Sequence, residues 1–139
     1  MPRFVLLRHE CPIGYEKPSH WDLMLEANEL LQTWELRQLP AAWVHALGDA
    51  TDLPACASVL AIRLADHRLA YLDYEGPISG NRGTVRRCDG GTYEIVGQDD
   101  RLLQVSLSGN FLQGAVHLRR DAAQPRVWQL LAPNNNGSV

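Results

Sequence analysis

Three features of the sequence predict an all-β chain with minor helix, a compact closed or nearly closed barrel of about eight mainly antiparallel strands. Short runs such as Arg3–His9 and Ser19–Leu25 are rich in β-prone residues, and the second alternates apolar and polar letters at period two. From Gly80 onward, turn residues recur at short, regular intervals. Ala41–Leu47 has the pattern of a short helix, and helical spacing can also be drawn through Leu23–Leu36, where the alternation before Ala27 and the turn residue Asn28 favour strands. A meander of this kind is expected to close on itself, because closure removes the exposed edges that an open sheet would leave.

Taken in order, Arg3–His9 is the first expected strand, and Glu10–Ser19, with two prolines and a glycine, is a loop. Ser19–Leu25 is the second strand and Ala27-Asn28 a turn into Glu29–Leu36, which together make a hairpin. Arg37–Ala57, with Pro40, Gly48, Asp49, Asp52 and Pro54, is irregular apart from the short helix. Ser58–Leu64 is a strand ending where imidazole, acidic and aromatic groups crowd together before Pro77. The remaining expected strands are Thr84–Cys88, Thr92–Val96, Leu102–Leu107, Phe111–Leu118 and Val127–Leu131, with Asp89-Gly90-Gly91 as one of the turns between them.

With 139 residues and 45% apolar content, the chain suits one domain, expected over residues 1–133, with a polar, disordered tail at 134–139. A net charge of -3 does not advertise a nucleic-acid binder, although charge can still be segregated locally. Cys11, Cys56 and Cys88 are odd in number and widely spaced, which fits a reducing compartment better than a disulfide framework. No basic-then-apolar leader opens the sequence and no apolar run approaches the roughly 20 residues of a membrane span. A soluble, cytoplasmic protein is the expectation.

The chemistry concentrates at Ser19-His20-Trp21-Asp22-Leu23-Met24-Leu25. In a strand, His20 and Asp22 share a face about 6.5 to 7 Å apart, from which an imidazole and a carboxylate can lean toward one ion. His9 ends another expected strand, whose pairing would bring it alongside. Such a mixed donor set suits Mn²⁺, Zn²⁺ or Fe²⁺ better than Ca²⁺ or Mg²⁺. The same letters also arise on an ordinary solvated face. Cys11, two residues after His9, is either a zinc ligand or a plain thiol. His45 and His117 read as packing or surface residues, and Trp21, Trp34, Trp43 and Trp128 as barrel wall before base-stacking platforms.

Arg8-His9, a loop, then His20-Trp21-Asp22-Leu23-Met24-Leu25-Glu26 is similar to a pattern in which a strand ending in Lys-His precedes a loop and His-Tyr-Asp-Phe-Arg-Leu-Glu. Leu64-Ala65-Asp66-His67-Arg68-Leu69-Ala70-Tyr71-Leu72-Asp73-Tyr74-Glu75-Gly76 is similar to Val-Glu-Asp-His-Pro-Leu-Glu-Tyr-x-Asp-Phe-Glu-Gly. Gly83-Thr84-Val85, Asp89-Gly90-Gly91-Thr92-Tyr93 and Leu112-Gln113-Gly114-Ala115-Val116-His117-Leu118 match its later stretches. In these residues the chain resembles the 3′-phosphoesterase domain of bacterial DNA ligase D and its stand-alone relatives, over roughly Phe4 to Leu131.

The resemblance implies a β-barrel hydrolase, Mn²⁺-dependent with Zn²⁺ as a second choice, that removes a 3′ ribonucleoside or 3′ phosphate from nucleic-acid ends. It implies metal ligation by His9, His20 and Asp22, and catalytic, phosphate-facing roles for His67 and Tyr71. It also implies nucleic-acid 3′ ends as partners, with DNA repair proteins beside them and no membrane. The chain departs from the pattern at Leu7, Met24 and Ala65, where the family has glutamine, arginine and glutamate. A thioether at position 24 cannot make the bidentate contact of a guanidinium with phosphate. Arg63, Arg82, Arg86 and Arg87 are the candidates to compensate, each also readable as solvated surface. Two alternatives stay open: a noncatalytic module binding a metal or a nucleic-acid end, and a phosphoesterase for small nucleotides.

Overall fold

The computed structural model of the chain describes residues 1–48 and 56–133. Its strands are β1 (Arg3–Glu10), β2 (His20–Ala27), β3 (Leu30–Leu36), β4 (Ser58–Arg68), β5 (Gly76–Pro77), β6 (Thr84–Gln98), β7 (Leu102–Gly109), β8 (Gln113–Arg120) and β9 (Val127–Leu131). Helix α1 (Ala41–Leu47) separates β3 from β4, and a 3-10 turn at Leu69–Leu72 follows β4. The order β1-β2-β3-β4-β9-β8-β7-β6 is closed by pairing of β6 with β1, so eight antiparallel strands form the expected barrel, with β5 added beside β6. The expected loop residues Asp49, Asp52 and Pro54 and the expected tail 134–139 lie outside the described residues.

Period two sorts the strands into an inner and an outer face. Phe4, Leu6, Leu23, Leu25, Trp34 and Leu36 join residues of β4, β6, β7, β8 and β9 in one buried cluster, which Trp43 of α1 completes. All eight barrel strands contribute, so this cluster fills the barrel. The opposite faces of β1, β2, β3 and β6 supply a second cluster, Val5, Leu7, Met24, Leu31 and Val85, capped by Leu72 of the 3-10 turn. This outer cluster gives the 67–83 segment a surface to pack on, and that segment walls the site described below.

The β2–β3 hairpin is closed by Asn28 and Glu29, with φ of 55° and 67°. Positive φ at both central residues is the type I′ geometry, whose twist matches that of the flanking strands. It sets the register Asp22↔Glu35 and Met24↔Thr33.

The structure corrects the expectation of a turn at Asp89-Gly90-Gly91. Here β6 runs unbroken from Thr84 to Gln98, paired with β1 over its first part and with β7 over its second, with a bulge where Leu6 and Leu7 face Asp89 and Arg87. The glycines serve close approach: a Cβ on Gly91 would collide with the Ser108 carbonyl of β7. The buried Asp89 carboxylate instead accepts the amides of Asn110 at 3.1 Å, Phe111 at 3.0 Å and Leu112 at 2.7 Å, and so pins the β7–β8 turn. That turn holds Phe111, expected in a strand, outside β8. The strand expected to stop at Leu64 continues as β4 to Arg68, carrying His67 with it.

Candidate metal and phosphate site

The end of β1 pairs with the start of β2 so that His9 faces His20 directly and Leu7 faces Asp22. The two imidazole rings lie with centroids 4.7 Å apart. Each is fixed by a backbone carbonyl, which can only accept, so the proton position follows. His9 Nε2–H donates to Arg82 O at 2.7 Å, which leaves Nδ1 with its lone pair. His20 Nδ1–H donates to Pro18 O at 2.9 Å, which leaves Nε2 with its lone pair. Carbonyl partners of this kind set ring orientation in metal-ligating histidines.

Asp22 lies against both free nitrogens. Its Oδ2 is 4.0 Å from His9 Nδ1 and its Oδ1 3.5 Å from His20 Nε2. The Oδ1 atom is buried without a hydrogen-bond partner. With both rings neutral, two lone pairs face the oxygens of one carboxylate, an arrangement that a proton or a metal cation relieves. The donor set therefore fits a divalent ion. Burial pushes the His20 imidazole down, but Asp22, the Pro18 carbonyl and Glu35 together outweigh it, and its pKa lies above the ordinary histidine value. The pocket thus favours positive charge at this point even when the charge is only a proton.

Cys11 belongs to the same cluster: ligand atoms of His9, Cys11 and His20 lie within 4.8 Å of one another, an arrangement that could hold a metal ion. Burial, together with Asp22 and Glu35, pushes its thiol pKa up.

The site also contains two residues that the sequence pattern left out. Glu35 of β3 is buried, with Oε1 3.8 Å from His20 Nε2. Lys17 Nζ holds that oxygen at 2.9 Å and Arg37 Nε holds Oε2 at 2.8 Å. Burial pushes the Glu35 carboxyl up, but Lys17, Arg37 and His20 pull it below its ordinary value, so it stays ionised near neutral pH. The type I′ register was the available signal, since it places Glu35 opposite Asp22.

Beside the cluster a cavity of about 160 Å³ is lined by His9, His20, Asp22, Lys17, His67 and Tyr71, among others. His67 Nδ1–H donates to Ala65 O at 2.9 Å, which fixes the ring, and the ring sits 5.8 Å from that of Tyr71. All five side chains singled out by the sequence, His9, His20, Asp22, His67 and Tyr71, thus border one cavity.

Met24 lines it too, buried among the outer apolar residues. Of the four arginines weighed as replacements for the missing guanidinium, Arg82 borders the cavity, its side chain held by Ser79. Arg63 is spent on Asp66 and the Leu64 carbonyl, and Arg86 and Arg87 line a different cavity. His45 sits exposed on α1 and His117 half-buried on β8, and neither lines this cavity. Trp34 and Trp43 are buried in the barrel, and Trp21 and Trp128 pack against that core.

Gly83 holds the wall in place. Its φ of +94° and the Glu10 backbone against the position of a Cβ leave no room for a side chain, and the Arg82 carbonyl that orients His9 immediately precedes it. Among the described residues no helix is long and apolar enough to cross a membrane.

A search of curated proteins finds no match to the chain. A scan against family models matches residues 9–120 to the DNA ligase D 3′-phosphoesterase domain. The match begins at His9, takes in His20, Asp22, His67 and Tyr71, and covers well over half of the sequence. This chain belongs to the DNA ligase D 3′-phosphoesterase domain family.

Proposed function

We propose that the protein is a metal-dependent phosphoesterase acting on 3′ ends of nucleic acid, removing a 3′ phosphate or a 3′ ribonucleotide during DNA end repair. The observation that carries this reading is the Asp22 carboxylate, with Oδ1 unpartnered, set against two oriented imidazole nitrogens in a cavity that also presents His67 and Tyr71. His9, His20 and Asp22 would hold the ion. Mn²⁺ is the first choice for this donor set, and the Cys11 thiol makes Zn²⁺ its competitor. A divalent ion held there would supply Lewis-acid polarisation of the phosphate ester and activation of water.

The chain's own groups do the rest. The Pro18 and Arg82 carbonyls keep the ligand nitrogens aimed inward. His67, anchored through Nδ1, presents Nε2 to a phosphoryl or leaving oxygen and donates a proton there when charged. The Tyr71 hydroxyl donates a neutral hydrogen bond to the same group. Lys17 places a partly exposed ammonium on the cavity wall, where Met24 provides no charge.

The test is release of inorganic phosphate from a DNA oligonucleotide ending in a 3′ phosphate. Turnover is expected with Mn²⁺ and none with excess chelator. His67→Ala should lower kcat by about 100-fold while leaving the metal affinity unchanged. Absence of turnover with Mn²⁺, Zn²⁺ and Co²⁺ alike would overturn catalysis. Met24 favours the second reading, a module that binds a metal and a nucleic-acid end without cleaving it, and tight binding of that oligonucleotide without turnover is its signature.

A further inference from the structure

A second cavity, of about 210 Å³, flanks the same strand ends from the other side of the sheet, lined by Trp21, Arg86, Arg87 and Phe111 and closed by Leu47 and Gly48. Its relation to the first follows from strand periodicity. Trp21 adjoins His20 and Arg86 adjoins Val85, so neighbouring residues on β2 and β6 serve opposite sides of one rim. Arg8, next to His9, lays its guanidinium over the Trp21 ring, 4.2 Å from the centroid, and faces Arg86 across the β1–β6 ladder.

The occupant is indicated by what the cavity offers. Arg8 is paired with Glu10 at 3.1 Å, and the exposed Arg86 side chain interacts electrostatically with the same carboxylate without a side-chain hydrogen bond among the described residues. Phe111 is 58% exposed, at the tip of a turn that Asp89 holds rigid through three amides. An aromatic face presented on a pinned turn and an exposed guanidinium beside it are a combination that binds single-stranded nucleic acid, by stacking of a base and neutralisation of a phosphate.

We propose that this rim is a track for the nucleotides that precede the 3′ end, with a base on Phe111 and a phosphate on Arg86. The inference rests on the proposed 3′-end chemistry for its direction: the terminal phosphate lies in the His67 cavity and the strand crosses the rim toward Phe111. Single strands are the substrate form that such a path accepts, since the Phe111 face needs an unpaired base.

The experiment compares binding of a single-stranded DNA of about six nucleotides, ending in a 3′ phosphate, with that of a nucleoside 3′-monophosphate. The first is followed by fluorescence anisotropy and the second by competition. The oligonucleotide is expected to bind at least about tenfold more tightly, and Phe111→Ala and Arg86→Ala are each expected to erase most of that advantage while leaving the mononucleotide unaffected. Arg86→Ala should also reduce the slope of log K against log salt by about 0.7. Both side chains are exposed, so the variants are expected to keep the wild-type far-ultraviolet circular dichroism. Equal affinity for the two ligands, or variants that leave the oligonucleotide affinity unchanged or weaken both ligands alike, would overturn the track. Failure of the two proposals is distinguishable: oligonucleotide preference without turnover sinks only catalysis, and turnover without oligonucleotide preference sinks only the track.

Discussion

Loss of divalent-metal binding is the expected result of His20→Ala. The wild-type protein should bind Mn²⁺ with micromolar or better affinity, and the variant should bind it at least about 100-fold more weakly, since even residues that merely orient a ligand cost 10- to 100-fold. The loss should also be visible in stability. At an ion concentration about 100 times its dissociation constant, Mn²⁺ should stabilise the wild type by about 2.7 kcal/mol against unfolding, and that increment should vanish in the variant. Removing a buried imidazole leaves the Pro18 carbonyl without its donor, so the metal-free variant is itself expected to lose about 1–2 kcal/mol. The metal-induced increment separates the two effects. Isothermal titration together with thermal melts, each with and without Mn²⁺, measures both, and an unchanged titration isotherm would remove His20 from the ligand set.

The largest effect on folding is expected away from the site, at Asp89. This carboxylate is 3% exposed and accepts three backbone amides that belong to the β7–β8 turn. Hydrogen bonds to a charged acceptor are each worth more than neutral ones, and Asp89→Ala leaves the Leu112 amide buried and unpaired. The expected cost is about 3–5 kcal/mol. For a chain of this size that lowers the melting midpoint by on the order of 10 °C or more. Asp89→Asn keeps one acceptor oxygen and should lose roughly half as much. Urea denaturation of the three proteins checks the order, and an alanine variant as stable as the wild type would show that the turn is held by something else.

The parts of the structure readable from sequence were those governed by a single local rule. Alternation in β2 placed His20, Asp22 and Met24 on one face, and pairing of two apolar runs was enough to bring His9 alongside. Asn28 marked the hairpin, and α1 fell at Ala41–Leu47 as its pattern implied. What was hidden depended on contacts between distant segments. Asp89-Gly90-Gly91 carries the letters of a turn, yet the glycines admit the β7 backbone and the aspartate satisfies amides more than twenty residues away. No local pattern distinguishes those uses. Glu35 escaped notice for a different reason: its neighbours in sequence are apolar or basic, and only the exact hairpin register sets it against Asp22 and His20. Lys17 lies in a loop, and its bond to Glu35 joins two elements that share no periodicity.

The claim on which the chemistry depends is that one divalent ion is shared by the end of β1 and the start of β2. Anomalous diffraction at the manganese edge, from crystals soaked in Mn²⁺, locates such an ion directly. The expected result is one peak bonded to His9 Nδ1, His20 Nε2 and the Asp22 carboxylate, on the cavity side facing His67. A peak at other residues, or none at saturating Mn²⁺, would contradict it.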